Sequence, residues 1–197
     1  MYSGEQGNEQ ITKRMQEVPD LHWQAFLRHN SPYKPIIAAV EGFALAGGTE
    51  LLHGTDIRVA SEKATFGLTE AKRGLFPLGG ATVRIPRQIP YTYAAEMLLT
   101  GKHINAYQAK EFGLIGEVVP EGTALEKAIN IAEQVAENSP VSIKAIMKSL
   151  RDLNEQVPEH KALEKELELG WPVFESEDAK EGLAAFSEKR KAIFKGK

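Results

Sequence analysis

The stretch Pro35-Ile36-Ile37-Ala38-Ala39-Val40-Glu41-Gly42-Phe43-Ala44-Leu45-Ala46-Gly47-Gly48-Thr49-Glu50 runs from a continuous apolar segment into a loop of small residues and ends on a carboxylate. The apolar run sits between turn signals, which predicts a short strand buried on both faces. The glycines and alanines that follow bring bare backbone to the mouth of a sheet, and residues 48–55 read as a short helix. Asp56-Ile57-Arg58-Val59-Ala60 reads as the next strand. Strand, helix and strand in this order predict a right-handed crossover between parallel strands. A helix that begins at Gly47 or Gly48 leaves its first N–H groups unpaired. Together with the positive end of the helix dipole, those donors can bind a developing negative oxygen. Glu50 falls in the first turn and points to the same mouth. A tight packing turn with a favourable N-terminal carboxylate explains this segment equally well.

Twenty positions further on, Ala64-Thr65-Phe66-Gly67-Leu68-Thr69-Glu70 repeats the theme, and Gly74-Leu75-Phe76-Pro77-Leu78-Gly79-Gly80 adds a second small-residue loop. Alone, Glu70 reads as a solvated surface residue. The two segments together, in this order and spacing, predict paired carboxylates for acid/base work on a substrate whose carbonyl becomes an oxyanion.

Outward from this centre, residues 1–30 are polar, with an irregular start and a helix from about Asp20 to Asn30. Helical signals dominate from Tyr91: a helix over 93–100 closed by Gly101, a capping box at Asn105-Ala106-Tyr107-Gln108 with its helix ending at Gly113, and a second capping box at Thr123-Ala124-Leu125-Glu126. Between the last two, residues 114–119 read as a strand stopped by Pro120. The helix after Thr123 carries an apolar face of Leu125, Ala128, Ile129, Ala132, Val135 and Ala136. Ser139-Pro140 starts another helix, with Ile143, Ile146, Met147, Leu150 and Leu153 on its buried side. A charged helix over 159–169, a break at Trp171-Pro172 and a final helix over 176–186 complete the chain. Strands come early and helices late, so residues 1–90 form a core portion and residues 91–197 a helical portion.

The 197 residues are 42% hydrophobic and 26% charged, with a net charge of −3. That composition excludes a disordered or fibrous class, and the charge offers no basic field for nucleic acid or an anionic membrane. There is no cysteine, so disulfides, thiolate nucleophiles and cysteine-ligated metals are excluded, which fits a cytoplasmic protein. No apolar run reaches the roughly 18 residues of a membrane span. The histidines at 22, 29, 53, 103 and 160 lack metal-ligand spacing. His53, near Glu50, reads as a helix-face residue rather than a base.

The segment from Lys34 to Glu50 resembles the signature of the crotonase superfamily, the enoyl-CoA hydratases and isomerases. Asp56-Ile57-Arg58-Val59-Ala60, Phe66-Gly67-Leu68-Thr69-Glu70, Leu98-Leu99-Thr100-Gly101, Ala109-Lys110-Glu111-Phe112-Gly113-Leu114 and Ala185-Phe186-Ser187-Glu188-Lys189-Arg190-Lys191 are similar to that family as well. The resemblance implies an α/β fold in which ββα units wind into a spiral, followed by a helical trimerisation region. It implies hydration of a 2-enoyl-CoA to a 3-hydroxyacyl-CoA, with coenzyme A carried by the substrate and no other cofactor or metal. Gly47 would supply an oxyanion-hole N–H, Glu50 would hold and activate water for Cβ, and Glu70 would exchange the proton at Cα. Ala46, Leu78 and Gly79 would line the water and substrate pocket. Phe186 and Lys189 would help cover coenzyme A, and the partners would be copies of the chain in a homotrimer or a dimer of trimers. Relatives that isomerise or cleave often keep one glutamate or neither, so the pair favours a hydratase over an isomerase.

Two departures from the family pattern stand out. Leu78 occupies the first place of a run that is usually glycine, which narrows the pocket and points to an altered acyl-chain preference. An Ala/Gly-rich loop ending near an Asp, which in the family donates the other oxyanion N–H, has no counterpart before Lys34. An oxyanion hole with one donor missing would lose about 10²–10³ in rate. The expectations are therefore a start assigned too late, or a short paralogue that assembles without catalysis.

Overall fold

The computed structural model of the chain describes residues 5–18, 21–28, 32–152 and 159–197. Asp20, His29, Asn30, Leu153 and the side chains of His22 and His160 lie outside the described residues.

Helix α1 (Glu5–Glu17) replaces the irregular start expected for this segment. Its run of Gln, Glu, Lys, Arg and Met is made of residues that lose little side-chain freedom in a helix. A short helix α2 (Leu21–Ala25) follows.

Six strands form two three-stranded sheets. The first has the order β1 (Ile37–Val40), β3 (Ile57–Ser61), β6 (Glu117–Val119), all parallel. The second has the order β2 (Phe43–Leu45), β4 (Thr65–Gly67), β5 (His103–Asn105), with β4 parallel to β2 and antiparallel to β5. Ile37 pairs with Ile57 and Phe43 with Thr65. One strand–strand–helix unit is thus laid on the next at close to a constant offset. The first unit is β1, β2 and α3 (Gly47–Leu52); the second is β3, β4 and the 3-10 turn Glu70–Arg73. This is the expected parallel crossover, but β2, β4 and β5 are additions, each three residues long. β1 is half-buried along its length rather than buried on both faces, because among the described strands it pairs only with β3.

Phe66, Leu68, Ile85, Met97, Ile104 and Leu114 are the large, fully enclosed side chains of the core between these elements. Ile85 comes from α4 (Ala81–Gln88), which no helical signal marked and which carries Pro86 internally. Helix α5 (Tyr91–Thr100) ends at Gly101 with φ 60°, a left-handed cap as expected. Helix α6 (Ala106–Glu111) has the expected capping box, with Asn105 Oδ1 accepting the Gln108 N–H and Gln108 Oε1 accepting the Asn105 N–H.

The second capping box is corrected. At the start of α7 (Ala124–Ala136) the Thr123 hydroxyl donates to the Pro120 carbonyl, and the two carboxylate oxygens of Glu41 accept the Gly122 and Ala124 N–H groups at 2.9 and 2.8 Å. A distant carboxylate with a full charge serves this helix end better than a local hydroxyl. On α7, Ala128 is buried, whereas Leu125 and Ile129 are exposed. On α8 (Pro140–Asp152), Met147 is buried, whereas Ile146 and Leu150 are exposed. The Ser139 hydroxyl, as expected of a cap, accepts the Ser142 N–H. Helix α9 (Glu159–Phe174) continues through Trp171-Pro172 instead of breaking there, with Pro172 in its last turn. Helix α10 (Glu177–Glu188) follows the Ser176 cap.

By packing, the chain divides into two compact units, Met1–Ser31 with Ile36–Ala128, and Pro32–Pro35 with Ile129–Lys197. This division falls inside α7. In the second unit, Asp178 is buried and ties the chain end down, accepting the Ser139 hydroxyl at 2.8 Å and the Lys195 and Gly196 N–H groups. Among the described residues, no helix is long and apolar enough to cross a membrane.

Candidate active site

Glu50 stands on α3, whose place is fixed by Thr49. The Thr49 side chain is fully buried; its hydroxyl donates to the Ala44 carbonyl in the middle of β2 and accepts the Gly67 N–H at the end of β4, at 3.1 Å. The Ala46 N–H also reaches the Gly67 carbonyl at 2.7 Å. The helix bearing Glu50 is thereby fastened to the strand that leads to Glu70, and the two carboxylates sit on successive levels of the same stack. Ala46 takes a positive φ of 50° at the entrance of α3, a conformation that an L-residue holds only where surrounding contacts impose it.

The Glu50 carboxylate is buried. Burial raises its pKa above the usual carboxylate range, and the negative charge of Glu70 adds to the rise. The Ala81 N–H, which donates to Oε1 at 3.2 Å, opposes it, as do the Gly79 N–H and the Arg28 cation. Burial wins, so Glu50 holds a proton more readily than a solvated glutamate does. Glu70 is half-buried at the start of its 3-10 turn. Its Oε2 is buried and has no hydrogen-bond partner among the described residues. A buried carboxylate oxygen without a partner is costly in a finished structure and expected where a reacting group docks.

The loop Leu78-Gly79-Gly80 closes over Glu50. A Cβ on Gly79 would lie 2.7 Å from Glu50 Oε2 and 2.9 Å from the Phe26 ring, and a Cβ on Gly47 would lie 3.2 Å from the same ring. Glycine at 79 is therefore a matter of space. Gly79→Ala is expected to destabilise the chain by about 1–3 kcal/mol, measured by chemical denaturation. Gly42→Ala, where nothing lies within 4 Å, is the control and should change little.

Of the residues singled out in the sequence, the fold brings Glu50, Glu70, Gly47, Ala46 and Gly79 to one place. Leu78 is on the same loop with its side chain exposed, while its carbonyl accepts the Arg28 guanidinium. Phe186 and Lys189 belong to the second unit, where Phe186 is 86% exposed and Lys189 caps α10 with φ 55°. His53 is fully packed rather than displayed on a helix face: it follows α3, is buried, and has both ring nitrogens unpartnered among the described residues. Phe26, Arg28, Thr49 and Arg84 were missed. Phe26 reads in sequence only as an apolar anchor, and the arginines carry no local signal.

A profile of the enoyl-CoA hydratase/isomerase family matches residues 2–197, reaching further toward the first residue than the resemblance read from sequence. The chain is 53% identical over 173 residues to the enoyl-CoA hydratase EchA19 of Mycobacterium tuberculosis, covering 88% of this chain and 65% of that protein. It is 38% identical to the 2,3-dehydroadipyl-CoA hydratase of Escherichia coli, covering 90% and 69%. A crystal structure of enoyl-CoA hydratase from Bacillus anthracis superposes with a TM-score of 0.87 at 37% identity, covering 94% of this chain and 71% of that one. The chain thus spans about two thirds of the length of these relatives.

Proposed function

Because the chain belongs to the enoyl-CoA hydratase/isomerase family, we propose that it serves the addition of water across the double bond of a 2-enoyl-CoA, giving a 3-hydroxyacyl-CoA. The observation that carries the proposal is the pair of glutamates. Glu50 is buried with a raised pKa, and Glu70 beside it has a buried, unpartnered oxygen.

Glu50 takes a proton from a water molecule whose oxygen bonds to Cβ. Electrons move through the double bond toward the thioester oxygen, and the Gly47 N–H at the start of α3 stabilises the charge there. Glu70 delivers a proton to Cα, and the two glutamates exchange roles in the reverse direction. Water and the thioester balance the reaction without a further cofactor. The side chain of Leu78 bears on the acyl chain and biases its length. Ala46 helps shape the water pocket.

Residues 91–197 serve assembly and cover of coenzyme A in this reading. Leu125, Ile129, Ile146, Leu150, Trp171 and Phe174 are large apolar side chains left exposed on the helices, which suits packing against further copies of the chain in a trimer or a dimer of trimers. Phe186 and Lys189 would reach an adenine and a phosphate of coenzyme A.

The test is the loss of conjugated enoyl-thioester absorbance on adding the chain to a short 2-enoyl-CoA, with the product identified by mass. A 3-enoyl-CoA offered in parallel tests the isomerase alternative. No hydration, or faster double-bond migration than hydration, would overturn the assignment.

A further inference from the structure

Segment 21–28, which carries no glutamate and no glycine, is fastened over the site at several points. Arg84 of α4 donates through Nη1 to the Phe26 carbonyl at 2.9 Å and through Nη2 to the Leu27 carbonyl at 2.5 Å. Leu27 is held at φ 53° between them. Gly54 gives the clamp its room, since a Cβ there would meet Arg84 Nη1 at 3.0 Å and Leu27 at 3.1 Å. Arg28 adds a bond to the Leu78 carbonyl, and its guanidinium lies over the Trp23 ring at 5.0 Å. The result of this fastening is the position of one side chain. The Phe26 ring lies against Gly47, at the start of the helix that carries Glu50, and against Gly79, which borders the Glu50 carboxylate.

The geometry points to Arg84 as a positioning residue for the hydration proposed above, on which this inference rests: by holding the Phe26 and Leu27 carbonyls it keeps the Phe26 ring seated over Glu50. A left-handed leucine is strained and does not hold its place without an external partner. The planar guanidinium spans two adjacent carbonyls at once, which an ammonium does not. Seated, the ring excludes bulk water from one side of the carboxylate and leaves Glu50 one orientation toward its substrate. Released, the segment swings free, and a small displacement of a catalytic carboxylate is expensive in rate.

The test uses the full chain, its Arg84→Lys, Arg84→Met, Phe26→Ala and Phe26→Leu variants, and the double variant of Arg84→Met with Phe26→Ala. Hydrogen–deuterium exchange reads the amides of residues 26–28, which bond to the Trp23 and Gln24 carbonyls, and hydration of a 2-enoyl-CoA is measured alongside. Both Arg84 variants should speed exchange of these amides about tenfold or more and lower kcat by about 10–10²-fold, with KM within about threefold of the parent. Phe26→Ala should lower kcat to the same degree, Phe26→Leu less, and Arg84→Met should add nothing in the Phe26→Ala background. Unchanged exchange, full rescue of kcat by Arg84→Lys, or losses that multiply in the double variant would each overturn the inference. Rescue by lysine would mean that Arg84 acts through its charge on Glu50. A parent that hydrates no enoyl-CoA would remove the hydratase reading and the catalytic role of Arg84 with it, while faster exchange in the variants would still establish the clamp.

Discussion

Glu70→Gln is expected to lower the rate of hydration by about 10³-fold, Glu50→Gln by a similar factor, and the double variant by little more than either, because the two carboxylates act on one transition state. Glutamine keeps the size of the side chain and can still accept the N–H of Ala81, so the loss reports on proton transfer rather than on packing. The pH profile supplies a sharper version of the experiment. Glu50 acts ionised, so the acid limb of kcat/KM follows its pKa, which lies above the usual carboxylate range through burial and, secondarily, the charge of Glu70. Removing that charge with Glu70→Gln lowers the pKa of Glu50 and moves the acid limb of the residual activity to lower pH. A limb that stays in place, or moves upward, would show that the two carboxylates do not share a site.

The same shift has a sign for stability. A carboxyl group with a raised folded-state pKa binds more protons folded than unfolded, so its contribution is lost as pH rises from the ordinary glutamate value through the raised one. Glu50→Gln removes that loss. The inactive variant should therefore melt no lower than its parent above this window, and the difference should close as the pH falls below it, as scanning calorimetry across pH will show. A functional carboxylate kept partly against its surroundings is the usual form of conflict between activity and stability.

How far the fold and site can be read without coordinates depends on the range of the interactions involved. Glu50, Glu70 and Gly47 are legible because each is carried by a contiguous motif, and because residues 37 and 57 pair in register, which places equivalent points of the two motifs one strand apart. The Asn105 box is legible because both partners are three residues apart. The cap of α7 is not, since its acceptor, Glu41, lies 81 and 83 residues away in sequence from the groups it binds. The strands β2, β4 and β5 are too short for an alternating pattern to show, and α4 is hidden by Pro86. Most of what the sequence leaves out of the site is long-range in this sense. Arg84 reaches Phe26 across 58 positions, Thr49 reaches Gly67 across 18, and neither pair leaves a local trace.

His53→Leu is expected to remove much of the acid sensitivity of the chain. His53 is 3% exposed, its ring nitrogens find no partner among the described residues, and burial, followed by the cations Arg58 and Arg84, lowers its pKa from 6.5 to about 3. Arg58 is itself held among the Leu114 and Thr55 carbonyls and the side chains of Thr55 and Gln88, and Gln88 in turn donates to the His53 carbonyl, so the two cations cannot simply move away. A histidine with a depressed pKa contributes its full stability above 6.5 and loses it as pH falls toward 3, because the unfolded chain takes up the proton first. Over the whole window the loss is on the order of 5 kcal/mol, comparable with the entire stability of a small domain. Leucine fills a similar volume with no atom to protonate and no lone pair to leave unpaired. At pH 7 the variant should match or slightly exceed the parent. Between pH 6 and 4 the parent should lose about 1.4 kcal/mol more per pH unit than the variant, read from denaturant midpoints at a series of pH values. Parallel pH dependences in that interval would mean that the ring is hydrated or paired in solution, and that some other group drives acid unfolding.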